Sequence, residues 1–223
     1  MKISLFFHAI IKFFCGVIVV GALLFIPAGT FDYHNAWLLM CVLFIPMFIA
    51  GIVMLIKNPS LLISRLKAHE KEEKQRTVIK LSAVMFVIGF VIAALDFRFS
   101  ITRMGTWATC AGVVIFIIAY ILYAEVLVEN TYLSRTIEVK NGQKVIDTGL
   151  YGIVRHPMYT ATVFLFLSMP LILGSGLSFI IFCAYPFIIA VRIKNEEEVL
   201  ERELDGYTEY KKRVKYKMIP FIY

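Results

Sequence analysis

Five stretches of this chain are almost free of charge over lengths that can cross a lipid bilayer, and nothing else in the sequence limits the fold as strongly. Ile10 to Ala28 is interrupted only by Lys12. Trp37 to Ile56, Leu81 to Leu95 and Gly105 to Tyr123 carry no charge, and neither does Pro157 to Val191. Hydrophobic residues make up 60% of the 223 and mean hydropathy is +0.79, far above that of soluble domains. The expectation is an all-α, polytopic integral membrane protein forming one domain over residues 1–223. Residues 1–104 supply the N-terminal spans and residues 105–223 the half that carries chemistry. No small-residue cleavage site follows the first run, so it reads as a retained helix and not a signal peptide.

The last apolar run is twice the length of a span and holds Gly174-Ser175-Gly176 near its middle. A helix from Pro157 to about Leu173 would rise roughly 25 Å, close to the hydrocarbon thickness of a bilayer. A turn at the glycines would return a second helix, about Leu177 to Val191, to the starting side. Arg192 and Glu196 would then emerge beside His156 and Tyr159, although Arg192 and His156 are 36 positions apart (192 minus 156). With four single spans before this hairpin, about six crossings are expected.

The net charge of +7 is sorted by loop and does not read as a nucleic-acid footprint. Lys57 to Lys80 holds seven Lys or Arg, and most of the rest lie in 135–155 and 192–217. The loop 27–36 and the turn 174–176 have none. The positive-inside rule puts both termini, the long basic loops and the polar cluster in the cytoplasm. Part of the basic excess is expected to contact anionic membrane lipids. Cys15, Cys41, Cys110 and Cys183 fall inside the apolar runs with no close spacing, so neither a disulfide framework nor a metal motif is read; small core residues are expected.

The connections carry further expectations. Leu61 to Leu66 with Arg65 suggests a short interfacial helix, followed by a charged, solvated link from Ala68 to Arg76. Asp96 and Arg98 read as an interfacial ion pair. Glu125 and Glu129, one turn apart at the end of the fourth span, face either a polar cavity or the water boundary. Thr136 to Val139 alternates and Asn141-Gly142 signals a tight turn, consistent with a small hairpin or extended loop. Asn195 to about Arg213 reads as a cytoplasmic amphipathic helix, its acidic start suited to the positive end of the helix dipole and its Val199, Leu200 and Leu204 packing on the membrane core.

Singly, the polar residues have ordinary explanations. Pro157 suits a first helical turn, Arg155 and His156 can reach headgroups, and Tyr159 can be an interface aromatic. Together they make one patch of Arg, His, Tyr and Glu beside a long polar loop. The pattern Gly149-x-Tyr151-x-x-x-Arg155-His156-Pro157-x-Tyr159, then Arg192-x-x-x-Glu196-Glu197, resembles the isoprenylcysteine carboxyl methyltransferase family, related to the membrane phospholipid N-methyltransferases. The segments 129–135 and 142–149 and the tail through Ile219-Pro220 are also similar, so the resemblance covers about residues 125–223. One departure is Leu204-Asp205-Gly206, where many members have Phe-Gly.

The resemblance implies S-adenosylmethionine as cofactor. By it, Gln143, Lys144, Val145 and Ile146 match a loop lining the cofactor pocket, and Tyr151 a cofactor-contacting tyrosine. His156, Pro157, Met158 and Tyr159 match the segment around the nucleoside and sulfonium. Glu196 matches a cofactor-binding acid with Glu197 beside it, and Arg192 a substrate-binding arginine at the reacting centre. Glutamate suits an ammonium, and aromatic faces suit sulfonium and adenine. The function expected is carboxyl O-methylation of a lipophilic, prenylcysteine-like acceptor drawn from the bilayer, with Arg192 and Glu196 as catalytic residues. N-methylation of a phospholipid headgroup, S-methylation of a small thiol, and a non-catalytic ligand-binding or transport protein remain open at this stage.

Overall fold

The structure, a computed structural model, describes residues 2–66, 73–133, 139 and 142–223, and in residues 2–4, 73 and 74 only the backbone. The described residues form helices α1 (Lys2–Ala28), α2 (His34–Lys57), α3 (Pro59–Leu66), α4 (Glu73–Phe99), α5 (Thr106–Glu129), α6 (Pro157–Leu173), α7 (Gly176–Phe182), α8 (Tyr185–Glu203) and α9 (Tyr207–Arg213), with a 3₁₀ turn at Gly149–Gly152. No strand occurs among them. Five helices are long and apolar enough to cross a membrane: α1, α2, α4, α5 and the α7–α8 stretch. The shorter α6, with 17 residues, is apolar too. The protein is therefore a multi-pass membrane protein, and the six expected crossings correspond to these five plus α6.

The C-terminal hairpin forms as the sequence suggests, with one break. Pro186 has no N–H to give to the turn before it, so the returning helix interrupts at Cys183–Ala184 and restarts as α8. Close packing of α6 on α5 rests on Gly112, where a Cβ would lie 2.8 Å from the backbone nitrogen of Ile172. Phe86 joins α4 to α6 and α8, its ring edge-on to Phe166 at 4.7 Å and near Phe182 and Tyr185.

The two ends of the bundle are held by different polar contacts. At one end Tyr33 OH donates to Leu173 O (2.8 Å), and Asn35 Nδ2 to Thr109 Oγ1 (3.3 Å). At the other, Lys12 Nζ donates to Leu66 O (2.6 Å) and Gln75 Nε2 to Arg192 O (3.4 Å). The second end carries α3, the 149–156 segment and the chain after Arg192.

Several expectations are corrected. Asp96 does not pair with Arg98. It is buried and accepts from Thr102 N (2.7 Å), Thr102 Oγ1 (2.5 Å) and Ser175 Oγ (2.5 Å), tying α4 to the 174–176 turn. Arg98 donates instead to Pro27 O (3.5 Å). The four cysteines are exposed on the outer faces of helices, so they face lipid and not the core. Helix α4 starts at Glu73, so the end of the supposed charged link is helical; its earlier part, 68–72, lies outside the described residues. The 134–138 and 140–141 stretches lie outside them too, and with them most of the expected hairpin. No helix starts at Asn195: α8 runs on to Glu203 and α9 follows a break at Gly206 (φ 83°), a backbone that favours glycine. The acidic run thus sits late in α8, away from any helix N-terminus. Leu204 packs with Leu200, Val145, Tyr207 and Tyr210 in a separate small cluster instead of the main core.

Gly112→Ala is expected to force α5 and α6 apart, since the opposing atom is backbone and cannot yield. The cost should be about 1–3 kcal/mol, read as a lower unfolding midpoint in detergent. Gly51→Ala is the control: a Cβ there meets nothing within 4 Å, and the midpoint should hold or rise.

Candidate active site

Helix α8 carries two side-chain rows, each repeating at four residues and lying side by side. Tyr185, Ile189, Ile193 and Glu197 form the buried row. Arg192, Glu196 and Leu200 form the next and, with Leu204 just past the helix end, line a cleft at the second end of the bundle. The cleft encloses about 100 Å³ and widens to about 840 Å³ with its open mouth included.

Beneath the cleft is a buried ion cluster. Arg155 Nε donates to Glu197 Oε1 (2.7 Å), both side chains about 5% exposed. His156 Nε2 lies 3.2 Å from the same oxygen, and Lys217 Nζ 3.4 Å from Oε2. Arg155 Nη1 donates to Val214 O and Lys215 O, each at 2.7 Å. The backbone follows the side chain: Arg155 N donates to Tyr216 O (2.9 Å) and His156 N to Lys217 O (2.8 Å), and Thr160 Oγ1 to Met218 O (2.7 Å). Desolvating such ions costs several kcal/mol each unless charged and hydrogen-bonding partners offset it, as these contacts do. The C-terminal tail is thereby strapped to the start of α6.

One wall is the 3₁₀ turn bearing Tyr151. Gly149 has φ 48°, and a Cβ there would lie 2.4 Å from Glu129 Oε1, so the turn closes onto the end of α5. Thr148 Oγ1 donates to that carboxylate (2.8 Å). Glu129 thus anchors the turn, and of the two placements open to it in the sequence neither describes this contact. Asn130 Nδ2 donates to Tyr151 OH (3.0 Å), and Tyr210 OH to Tyr151 O (2.7 Å). Burial pushes the Tyr151 and Tyr210 phenols well up, so both stay neutral hydrogen-bonding groups.

The floor is Tyr159. Its hydroxyl donates to Glu196 Oε2 (2.5 Å) and accepts from Arg192 Nε (2.8 Å), linking the two charges of the cleft-facing row. His156 stacks on its ring at 5.8 Å between centroids. Tyr207 is different: it is 4% exposed, lines the cleft, and its hydroxyl has no hydrogen-bond partner among the described residues. Burial first, and then the charges of Glu197 and Glu196, push its phenol up, which keeps its proton.

Of the residues singled out in the sequence, Gln143, Lys144, Val145, Ile146, Tyr151, His156, Met158, Tyr159, Arg192 and Glu196 line this one cleft. Pro157 and Glu197 do not. Pro157 is the first residue of α6, and Glu197 points into the ion cluster. Sequence reading missed Arg155 as a buried group, and missed Asn130, Tyr207 and Tyr210. A signal for Glu197 was present: it continues the Ile189–Ile193 spacing and so belongs to the inward row.

The sequence comparisons bear on this same region. Residues 104–202 match the isoprenylcysteine carboxyl methyltransferase (ICMT) family. Over that stretch, somewhat under half of the chain, it is similar to the ICMT family. The match begins at the start of α5 and ends within α8, so it takes in the 3₁₀ turn, Tyr159, Arg192 and Glu196. The family implies a membrane methyltransferase. The chain is also similar to the Delta(14)-sterol reductase TM7SF2 of Mus musculus, with 30% identity over 91 residues. That segment is 40% of this chain and 22% of the reductase, so the chain spans well under half of that relative.

Glu197→Ala should leave Arg155 buried without its carboxylate and destabilise the protein by about 3–5 kcal/mol. The measurement is the unfolding midpoint of purified protein together with proteolysis of the tail after Arg213. A tail that stays protected at an unchanged midpoint would mean the pair is not the strap.

Proposed function

We propose that the cleft is the methyl-transfer site of an S-adenosylmethionine-dependent membrane methyltransferase whose acceptor is a lipophilic carboxylate. The observation that carries this reading is the Arg192–Tyr159–Glu196 row beside the unpartnered Tyr207 hydroxyl. The donor set suits the cofactor: a carboxylate for its ammonium, the faces of Tyr151, His156 and Tyr159 for adenine and sulfonium, and the buried Tyr207 hydroxyl for a polar atom. A nucleoside-sized ligand exceeds the enclosed part of the cleft and would extend through its mouth along residues 143–146. When bound, the cofactor supplies a methyl carbon whose bond to the sulfonium sulfur breaks as a bond to the acceptor oxygen forms.

The chain's own work is then alignment and exclusion of water. A carboxylate is ionised at neutral pH and needs no general base. Arg192 offers it a two-pronged donor, and Tyr159, bonded to Arg192 and Glu196 together, fixes the separation of the acceptor and cofactor sides. An amine acceptor would meet the Arg192 charge unfavourably, which favours carboxyl over phospholipid N-methylation. The sterol in the reductase's name is itself a lipid, in keeping with an apolar acceptor. In this reading residues 105–223 carry the chemistry, and the positive-inside distribution puts the cleft and both termini in the cytoplasm.

Calorimetry with S-adenosylmethionine should show binding to the detergent-solubilised protein, weakened about ten- to a hundred-fold in Glu196→Ala. Arg192→Lys should keep cofactor affinity while methyl transfer falls strongly, because the charge survives and the fork does not. Equal loss of both in Arg192→Lys would assign Arg192 to the cofactor's own carboxylate. For orientation, in a background without native cysteines, an impermeant thiol reagent applied outside cells should label Asp32→Cys and spare Lys212→Cys; the reverse pattern would move the cleft to the other face.

A further inference from the structure

The packing of Tyr207 explains its ring and leaves its hydroxyl unexplained. The ring sits with Leu204, Tyr210 and Val214, against Val145 of the cleft-lining loop. The hydroxyl is buried at the cleft and has no hydrogen-bond partner among the described residues. Tyr210, one turn along α9, shows what a structural phenol does in the same cluster: its hydroxyl donates to Tyr151 O (2.7 Å). An unpartnered buried hydroxyl lowers stability, so phenylalanine would serve the packing of position 207 better.

The charges around the hydroxyl limit what can satisfy it. After burial, the carboxylates of Glu197 and Glu196 act on the phenol more strongly than the opposing Arg155 guanidinium, and together they hold its proton on. An anion brought to this oxygen would be repelled by the same two carboxylates, whereas a cation would be drawn in. Glu196 lines the cleft as well, with its Oε2 accepting from Tyr159. A primary ammonium carries three N–H donors and no acceptor. It can therefore donate to the Glu196 carboxylate and to the Tyr207 oxygen at once.

We propose that Tyr207 binds the ammonium of the cofactor's amino-acid end, its hydroxyl oxygen accepting one N–H while Glu196 accepts another. This deepens the S-adenosylmethionine reading and rests on it. Glu196 is on α8 and Tyr207 on α9, across the turn at Gly206. A ligand that bridges them joins α9 to α8, so cofactor binding and the docking of α9 at the cleft reinforce each other. The nucleoside end has no ammonium and cannot make that bridge.

The test uses Tyr207→Phe in the full, detergent-solubilised chain, with three probes. S-adenosylmethionine is the first. Decarboxylated S-adenosylmethionine keeps the ammonium and the sulfonium, and 5′-methylthioadenosine keeps only the nucleoside and a thioether. Loss of the hydroxyl should weaken the first two about ten-fold, the worth of one hydrogen bond to a charged group, and leave the third unchanged. Without ligand, the unfolding midpoint of the variant should hold or rise, because an unpartnered polar atom has gone. Amide hydrogen exchange over Tyr207–Arg213 should slow when S-adenosylmethionine is added to the unaltered protein, and slow less in the variant. An S-adenosylmethionine affinity untouched by Tyr207→Phe overturns the proposal and leaves the hydroxyl to water. A loss confined to the probe that carries the carboxylate assigns the hydroxyl to that group, and an equal loss with 5′-methylthioadenosine assigns it to the nucleoside; either overturns the proposal. A ligand-free midpoint that falls along with the affinity makes Tyr207 a structural residue and overturns it too. Absence of S-adenosylmethionine binding by the unaltered protein is a separate result, which sinks the cofactor reading itself.

Discussion

The buried pair of Arg155 and Glu197 is the contact on which the second end of the bundle depends. It joins the residue before α6 to the inward row of α8, and through two backbone carbonyls it fixes the chain after α9. Neither ion could remain charged there alone at a tolerable cost. Arg155 is partnered by a carboxylate and two carbonyls, and Glu197 by three cationic or polar neighbours. With that centre fixed, His156 and Tyr159 have a defined position on α6, and Arg192 and Glu196 a defined position relative to them.

The opposite end is held by a different device for the same purpose. Asp96 is as deeply buried as Glu197, but its partners are hydroxyls and a backbone N–H, all from the connections at 102 and 175. Between these two polar anchors the helices meet through apolar contact and through close approach at Gly112 and Gly89, where a Cβ would collide with Ile172 and Phe182. The hairpin of α6 with α7 and α8 is therefore pinned at its turn by Asp96 and at its open end by Arg155. That leaves little freedom in the angle at which Arg192 faces Tyr159.

The spans and the convergence of His156, Tyr159, Arg192 and Glu196 were legible, because hydropathy and helix length alone bring both ends of a 17-residue helix and its return to one side. The partners of single polar residues were not. Asp96 and Arg98 are near neighbours of opposite charge, yet a helical offset of two points them to different faces, and Asp96 turns inward. The cysteines illustrate the converse: in lipid an apolar residue gains nothing by facing inward, so hydrophobicity does not sort core from surface. Glu196 and Glu197 look equivalent as adjacent acids. Only the four-residue rows of α8 separate them, and Ile189 and Ile193 mark which row is buried.

That separation of adjacent acids explains how one short segment can be both rigid and receptive. Glu197 has Arg155, His156 and Lys217 around it and belongs to the fold. Glu196 is bound by Tyr159 on one side and faces the cleft on the other. Successive helix residues diverge by about 100°, so a pair of acids is a compact way to set one charge in the core and present the next to the cleft. The ion cluster thereby fixes the stretch of α8 backbone that carries Glu196 at the cleft. Tyr159 performs the same service one layer out, holding Arg192 and Glu196 at opposite sides of a single hydroxyl.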